Sequence, residues 1–445
     1  MTTGKSREMS VVAAGSAMYT RRVSVSTNEK FLEVVKLIRD NDVSFVNMEG
    51  HIGHPDAYPL KPYSFASYYA GEPWVAEEYK WTGFNLAALA NNHASDWSPD
   101  SLYETQQLLD ECGIVHAGTG KNLTAAREPG YLDTANGRVA LISIDSSHEQ
   151  GEFVQPSMAS DPRGAVLGRP GVNVIRYNTY VDVDDASFAD LKRIRKNLNL
   201  ETFRGREADT DTSMFFNNGG NPGITFRLGA EPGFHSVPVE KDLEANLQWV
   251  RNAKQMADYV FVTHHTHANG DHKTGPYAEV PAEFVRTIAH AFIDAGADAF
   301  LGHGMHGKGI EFYKGKLILY DMGWFSWMVE TLERYPADLY DEWNLGADAL
   351  PADIVNARPA GGFGISSLWN DGVLYEFGLV DGRITRLKLH PITQGRENPM
   401  WQRGLPMIAK GEDAQRILTR HKEMSAAFGT KIEIRDDVGI VEVPG

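Results

Sequence analysis

The sequence predicts a layered α/β fold, and three observations carry that prediction. Short apolar runs end abruptly in polar or glycine-containing loops, most of them are followed by helical periodicity, and towards the C-terminus the runs instead follow one another across Asp-Gly pairs. The first two features indicate β-then-α alternation, in which reacting groups gather outside the carboxyl ends of the strands. The third indicates an antiparallel β meander.

Ser10 to Gly15 is the first expected strand. The run from Ser10 to Met18, preceded by Lys5 and Arg7, has the outline of a signal peptide, but its apolar core is short and interrupted by glycine and serine. A helix follows at Glu29 to Arg39, then a strand from Val43 to Asn47 that ends in Met48-Glu49-Gly50. Phe84 to Ala90 ends in Asn91-Asn92-His93. Ser98-Pro99 then opens a helix with Asp100 in its first turn, because serine accepts an orphan N–H and proline tolerates the first position. Further strands are expected at Arg138 to Ile144, Tyr259 to Thr263, Ala299 to Gly302 and Lys316 to Tyr320.

Between residues 152 and 240 the rhythm breaks. One helix, Asp185 to Asn199, stands among glycine- and asparagine-rich stretches such as Asn217-Asn218-Gly219-Gly220-Asn221, so this segment reads as an insertion capping the site. Beyond Gly361, strands at Ile365 to Trp369, Val373 to Val380 and Arg383 to His390 are separated by Asn370-Asp371-Gly372 and Asp381-Gly382, pairs suited to tight hairpins. The expected division is 1–151 for the first part of the core, 152–240 for the insertion, 241–390 for the second part with the meander, and 391–445 for a C-terminal extension.

The 59 acidic side chains exceed the 43 basic ones by 16 among 445 residues, which argues against DNA or RNA as the main partner. No stretch approaches the roughly 18 apolar residues of a membrane span, so a soluble, cytoplasmic protein without a membrane partner is expected. Cys112, alone, cannot form an intrachain disulfide and reads as a small core residue of a helix. Nothing in the sequence fixes the oligomeric state. Tyr63-Ser64-Phe65, Trp324-Phe325-Ser326-Trp327 and Trp343 are candidates for an apolar pocket, although core packing is the commoner fate of such residues.

Histidine is concentrated. Seven of the 15 lie between His264 and His306, against roughly 1.4 for an even spread, and metal ligation is a physical cause for such clustering. His290 shares a helix face with Arg286 and Asp294 and reads as a solvated surface residue. His264 and His265 close a strand, where adjacent side chains point to opposite faces, so one of the two reaches a given metal. His303 and His306 lie in Gly302-His303-Gly304-Met305-His306-Gly307, whose glycines allow a tight loop that turns two imidazoles inward. Imidazole suits zinc, iron and manganese; the plainer reading makes these loop histidines bonded to backbone. Glu49 directly follows a buried strand, where a metal would offset the cost of its charge. Asn92 can offer a carbonyl oxygen to a metal, and the adjacent His93 can handle protons.

At Asn47-Met48-Glu49-Gly50, Leu89-Ala90-Asn91-Asn92-His93-Ala94-Ser95-Asp96, Gly302-His303-Gly304-Met305-His306 and Tyr320-Asp321-Met322-Gly323-Trp324-Phe325, the chain resembles the CapA (poly-gamma-glutamate synthesis protein) family, a branch similar to the calcineurin-like metallophosphoesterases. The resemblance covers roughly residues 10–150 and 240–330. It implies a metallophosphoesterase-like α/β sandwich in which Glu49, Asn92, His265, His303 and His306 hold a divalent metal, with His93, Asp96 and His264 as catalytic candidates. Where the family has Gly-Asp after the first strand, this chain has Gly15-Ser16, and Met18 replaces a histidine. One tightly bound ion (Mn, Zn or Fe) is therefore expected rather than a pair. The leading functional expectation is hydrolysis of an amide in a peptide or amino-acid-derived substrate by metal-activated water. The alternatives are a peptide epimerase exchanging an α-proton, since the family is similar to a lasso-peptide epimerase, a phosphoesterase, and a non-catalytic polymer-binding protein.

Overall fold

Strands covered on both faces read as continuous apolar runs, and the Met9–Met18 strand is buried at almost every position. Its Val11 and Ala13 enter one apolar cluster and its Val12 and Ala14 another, as the two-residue side-chain period requires. The structure, a computed structural model, describes residues 8–53, 57–60, 68–147, 157–200, 209–216, 223–270, 279–304, 306–357 and 367–444.

Two mixed sheets form the core. In the ten-stranded sheet, Met9–Met18, Val43–Met48, Leu86–Ala88 and Val115–Ala117 run parallel in that order, and Trp324–Trp327 pairs with the far end of Met9–Met18. On the other side of Met9–Met18 lie the antiparallel Asp371–Val380 and Arg383–Thr393, then Val438–Val441 and Ile432–Arg435. In the six-stranded sheet, Gly137–Asp145, Tyr259–His265, Ala299–His303 and Lys316–Leu319 run parallel, edged by Gly130–Thr134 and Ile310–Tyr313. The sheets face each other through Val11, Ala13 and Phe45 of the first and Leu141, Phe261 and Leu301 of the second. Each outer face carries helices. Glu29–Arg39, Val75–Thr82 and Pro99–Glu111 cover the first sheet through Phe31, Val34, Tyr79 and Leu109. Glu240–Ala253 and Glu283–Ala295 cover the second through Val250, Phe284, Ile288 and Phe292. The layer order is helix, sheet, sheet, helix, and the carboxyl ends of the central parallel strands of both sheets gather in one place.

The meander differs in detail from the sequence reading. Asp381-Gly382 is a two-residue hairpin with both φ positive (49° and 73°), as such a turn demands. Asp371 and Gly372 are instead strand residues, paired with Thr393 and Ile392. Of the strand expected at Ile365 to Trp369, residues 365 and 366 lie outside the described residues, and Ser367–Asn370 is a helical turn. Ser98 occupies the N-cap position of Pro99–Glu111 without a side-chain capping bond, and its carbonyl instead accepts from the Ser101 hydroxyl at 2.7 Å. Cys112 is the C-cap of that helix, packed against its apolar cluster. In the 391–445 stretch, the Glu412–Ala426 helix packs Ile417 and Leu418 into the inter-sheet core. No helix among the described residues is long and apolar enough to cross a membrane.

The 152–240 segment carries its own four-stranded sheet, in the order Ser213–Phe216, Ile224–Leu228, Tyr177–Val183, Gly233–Pro238, with one helix, Asp185–Asn197. The Asp184 side chain caps that helix by accepting from Ser187 N at 2.7 Å. The expected Asn217 to Asn221 loop lies outside the described residues. Tyr177 stacks on Phe284 (centroids 4.0 Å apart), and buried Arg176 grips Asp242 through Nε at 2.6 Å and a second guanidinium nitrogen at 2.7 Å, so the segment is tied to both helices over the six-stranded sheet. Arg176→Met leaves the Asp242 carboxylate buried without its cation. A loss of about 3–5 kcal/mol in urea unfolding is expected, with metal content unchanged.

Candidate metal centre

Several of the parallel strands deliver a polar residue where their hydrogen-bond ladder ends. Val43–Met48 delivers Glu49, 1% exposed and held by its N–H on Ala17 O at 3.0 Å. The chain after Leu86–Ala88 turns through Asn91, Asn92 and His93. From the other sheet come His265 and His303, register partners in adjacent strands, and Asp145, the register partner of His265 on its other side. The backbone must pass close to its neighbours here: at Gly302 a Cβ would strike Tyr320 O, and at Gly304 (φ +153°) it would strike Thr266 O.

Strand alternation decides between the two adjacent histidines. His265 points with Phe261 and Thr263 toward the facing sheet. His264 points with Val260 and Val262 toward the helices, its ring near Phe284 and Phe300 (6.0 and 5.9 Å between centroids). Neither nitrogen of His264 has a hydrogen-bond partner among the described residues, and burial pushes its pKa down to about 3. His264, expected as a catalytic group, is thus not brought to the cluster. His264→Leu removes two unpartnered buried nitrogens at similar volume, so stability by urea titration should stay within about 1 kcal/mol of wild type or rise, with metal content unaltered.

The remaining expected residues largely converge. His265 Nε2 lies 2.9 Å from Asn92 Oδ1 and 4.0 Å from Glu49 Oε1; His265 Nδ1 lies 2.9 Å from His303 Nδ1, and His303 Nε2 lies 3.0 Å from Thr263 Oγ1. One tautomer set satisfies the three hydrogen bonds: His265 Nε2–H donates to Asn92, His303 Nδ1–H donates to His265, and the Thr263 hydroxyl donates to His303. His93 Nε2 lies 3.9 Å from Glu49 Oε1, while its Nδ1 sits 2.6 Å from Asp96 Oδ2, which also accepts Tyr69 N at 2.9 Å. His306 is buried, its ring edge-on to Trp369 with centroids 5.1 Å apart. Of the aromatic candidates, Trp324, Trp327 and Trp343 join an apolar cluster with Trp369 and Met18, and residues 61–67 lie outside the described residues. His290 stacks on Tyr313 (3.9 Å) and meets Glu311 at 3.1 Å, far from any ligand role.

Several contributors escaped the sequence reading. His267 forms with Glu49 and His265 a group whose ligand atoms all lie within 4.8 Å of one another. Its signal was present as His265-Thr266-His267, a two-residue spacing that returns to the same side of an extended chain. Asn47 Nδ2 donates to Ser16 Oγ (2.9 Å) and Glu49 Oε2 (3.3 Å), and Asn91 Nδ2 bonds Met48 O (2.9 Å), so both asparagines brace the carboxylate. Asp145 and Asp321 are buried nearby.

The electrostatics fit a divalent cation. Burial, reinforced by Asp321, Asp96 and Asp145 against a hydrogen bond from Ser16, pushes the Glu49 carboxyl up to about 8. Burial, with neighbouring imidazoles, holds His265 well below its ordinary value, and burial with His264 takes His303 to about 3, so both imidazoles are neutral. A buried carboxyl among other carboxyls, facing neutral imidazoles, is a donor set that zinc, manganese or iron would satisfy.

Comparison with known proteins gives an independent line. The family described as Bacterial capsule synthesis protein PGA_cap matches residues 10–326. The chain belongs to this capsule synthesis family. Every cluster residue from Ser16 to Asp321 falls inside the matched span. Protein y4sH of Sinorhizobium fredii (strain NBRC 101917 / NGR234) is 33% identical over 447 residues, 97% of this chain and 93% of its own length. Capsule biosynthesis protein CapA of Bacillus anthracis is 20% identical over 368 residues, 80% of this chain and 70% of its own. A probable polyglutamine synthesis accessory protein of Mycobacterium tuberculosis (strain CDC 1551 / Oshkosh) is 26% identical over 240 residues, 54% of this chain and 44% of its own. The similarity to y4sH, unlike the family match, also takes in the C-terminal meander.

Proposed function

We propose that the chain is a metal-dependent enzyme that hydrolyses an amide bond in a peptide or amino-acid-derived substrate, on a metallophosphoesterase-like scaffold. The observation that carries this reading is the Glu49, His265 and His267 group, with Asn92 Oδ1 against His265 and the His93–Asp96 pair beside Glu49. Glu49, His265 and His267 would hold the ion, with Asn92 as a further oxygen donor. A bound divalent ion there would polarise a carbonyl and acidify a water.

The chain's own groups do the rest. Asp96, fixed by Tyr69 N, keeps the His93 proton on Nδ1 and leaves Nε2 toward Glu49, placed to take a proton and return it to a leaving amine. His303 orients His265 through its Nδ1. Ser16 and Met18 at the end of the first strand supply no carboxylate or imidazole, which supports one ion and disfavours phosphoester chemistry. Amide over phosphate also accords with the polyglutamine named for the Mycobacterium relative.

The decisive experiment incubates purified protein with Mn²⁺, Zn²⁺ or Fe²⁺ and a panel of peptides and γ- and α-glutamyl amides, reading released amine. Metal-dependent release is expected and should disappear with chelator; silence across the panel overturns the hydrolytic reading. The placement of His93 and His267 around one carboxylate also suits exchange of an α-proton. Deuterium uptake from D₂O with the peptide left intact would identify that second reading.

A further inference from the structure

Four carboxyl groups are buried around the cluster: Glu49, Asp96, Asp145 and Asp321, none more than 1% exposed. Among the described residues one lysine is buried, and it is here. Lys308, 2% exposed, lies two residues after His306, with Nζ 3.1 Å from Asp321 Oδ2 and its backbone N–H on Asp321 O at 2.9 Å. A lysine ammonium taken out of water is costly, so its position needs a cause.

The ion pair is wired to the metal group. Asp321 Oδ1 accepts Gly323 N at 2.9 Å, and Gly323 O accepts Ser16 N at 2.9 Å. Gly15 packs so tightly on that same carbonyl that a Cβ would collide with it. Ser16 Oγ accepts from Asn47 Nδ2, which also reaches Glu49 Oε2. Asp321 is thus joined to Glu49 through a short hydrogen-bonded path, and its charge bears on that carboxyl. Were Asp321 unmatched, a second cation would find a buried carboxylate beside Glu49.

We propose that Lys308 is a positioning residue that serves as the site's second cation: its ammonium, fixed on Asp321, balances charge that a second metal ion would otherwise balance, so that the Glu49, His265 and His267 group takes a single divalent ion. The inference rests on the reading that this group binds metal.

The test is Mn²⁺ titration of the full-length chain, with metal-to-protein ratio by mass spectrometry and electron paramagnetic resonance. Wild type is expected to bind one Mn²⁺. Lys308→Met should bind two and show a spin-coupled pair, while Lys308→Arg stays at one. A folded Lys308→Met that binds one ion overturns the inference and leaves the metal reading standing, as does a wild type that binds two. A wild type that binds none overturns both. Should Lys308→Met fail to fold, Asp321→Asn decides. It leaves the ammonium unmatched and should weaken Mn²⁺ binding at least tenfold, and adding Lys308→Met to it should restore affinity to within threefold. Unchanged affinity in Asp321→Asn, or no restoration in the double variant, overturns the inference.

Discussion

His265→Ala is expected to abolish divalent-metal binding and turnover together while the α/β core persists. The imidazole is fully buried, shares the ligand group with Glu49 and His267, and holds both Asn92 and His303 through its two nitrogens. Removing it deletes a ligand and leaves two neighbours without their bond. Metal affinity should fall by more than about a hundredfold, beyond what loss of an orienting neighbour causes. His303→Ala should do less, about ten- to a hundredfold, because His303 stands outside the Glu49, His265 and His267 group and acts on it by orienting His265. Metal analysis after dialysis, with far-ultraviolet circular dichroism as the fold control, separates the two. Full metal retention in His265→Ala would mean that the group is misassigned.

Much of this arrangement is legible in the sequence, for a physical reason. Buried parallel strands need continuous apolar runs, and a polar residue placed abruptly at the end of one is conspicuous; Glu49, Asn92, the His264-His265 pair and His303 were visible in that way. The choice between His264 and His265 was not, because alternation says that they diverge and leaves open which face carries the site. The structure decides it through register: His265 shares a face with Phe261 and Thr263 and is paired to His303.

What stayed hidden depends on pairing across sequence. Asp145 ends a strand like any other, and only its register with His265 brings it to the cluster. Lys308 and Asp321 look like loop residues until the return of the chain sets one against the other. His306 shares the glycine-rich run of His303, and its ring meets Trp369, more than sixty residues on, a contact that only the fold supplies. Asp371-Gly372 has the composition of a hairpin and becomes strand because Arg383–Thr393 is long enough to pair with it.

Divalent-metal affinity is expected to rise about fiftyfold between pH 6 and pH 8, and Glu49→Gln is expected to remove most of the affinity together with its pH dependence. Burial first, then the nearby carboxylates, pushes the Glu49 carboxyl from the ordinary 4.5 up to about 8. A metal needs the carboxylate, so below that value a proton must leave for each ion bound. The ionised fraction is about one per cent at pH 6 and about half at pH 8, which sets the ratio. His265 and His303 are neutral throughout this range and compete for no proton. The sign for stability is opposite. A carboxyl whose folded pKa lies above its unfolded value binds its proton more tightly in the fold, so the metal-free protein loses stability as pH rises from 4.5 toward about 8. The slope is at most about 1.4 kcal/mol per pH unit. Metal should restore that stability most at the alkaline end, whereas Glu49→Gln, with no proton to lose, should lack this contribution to the decline. Calorimetric titration with Mn²⁺ in two buffers of different ionisation enthalpy counts the released protons, and melting curves with and without metal follow the stability. A wild-type affinity that stays flat from pH 6 to pH 8 would remove Glu49 from the ligand group.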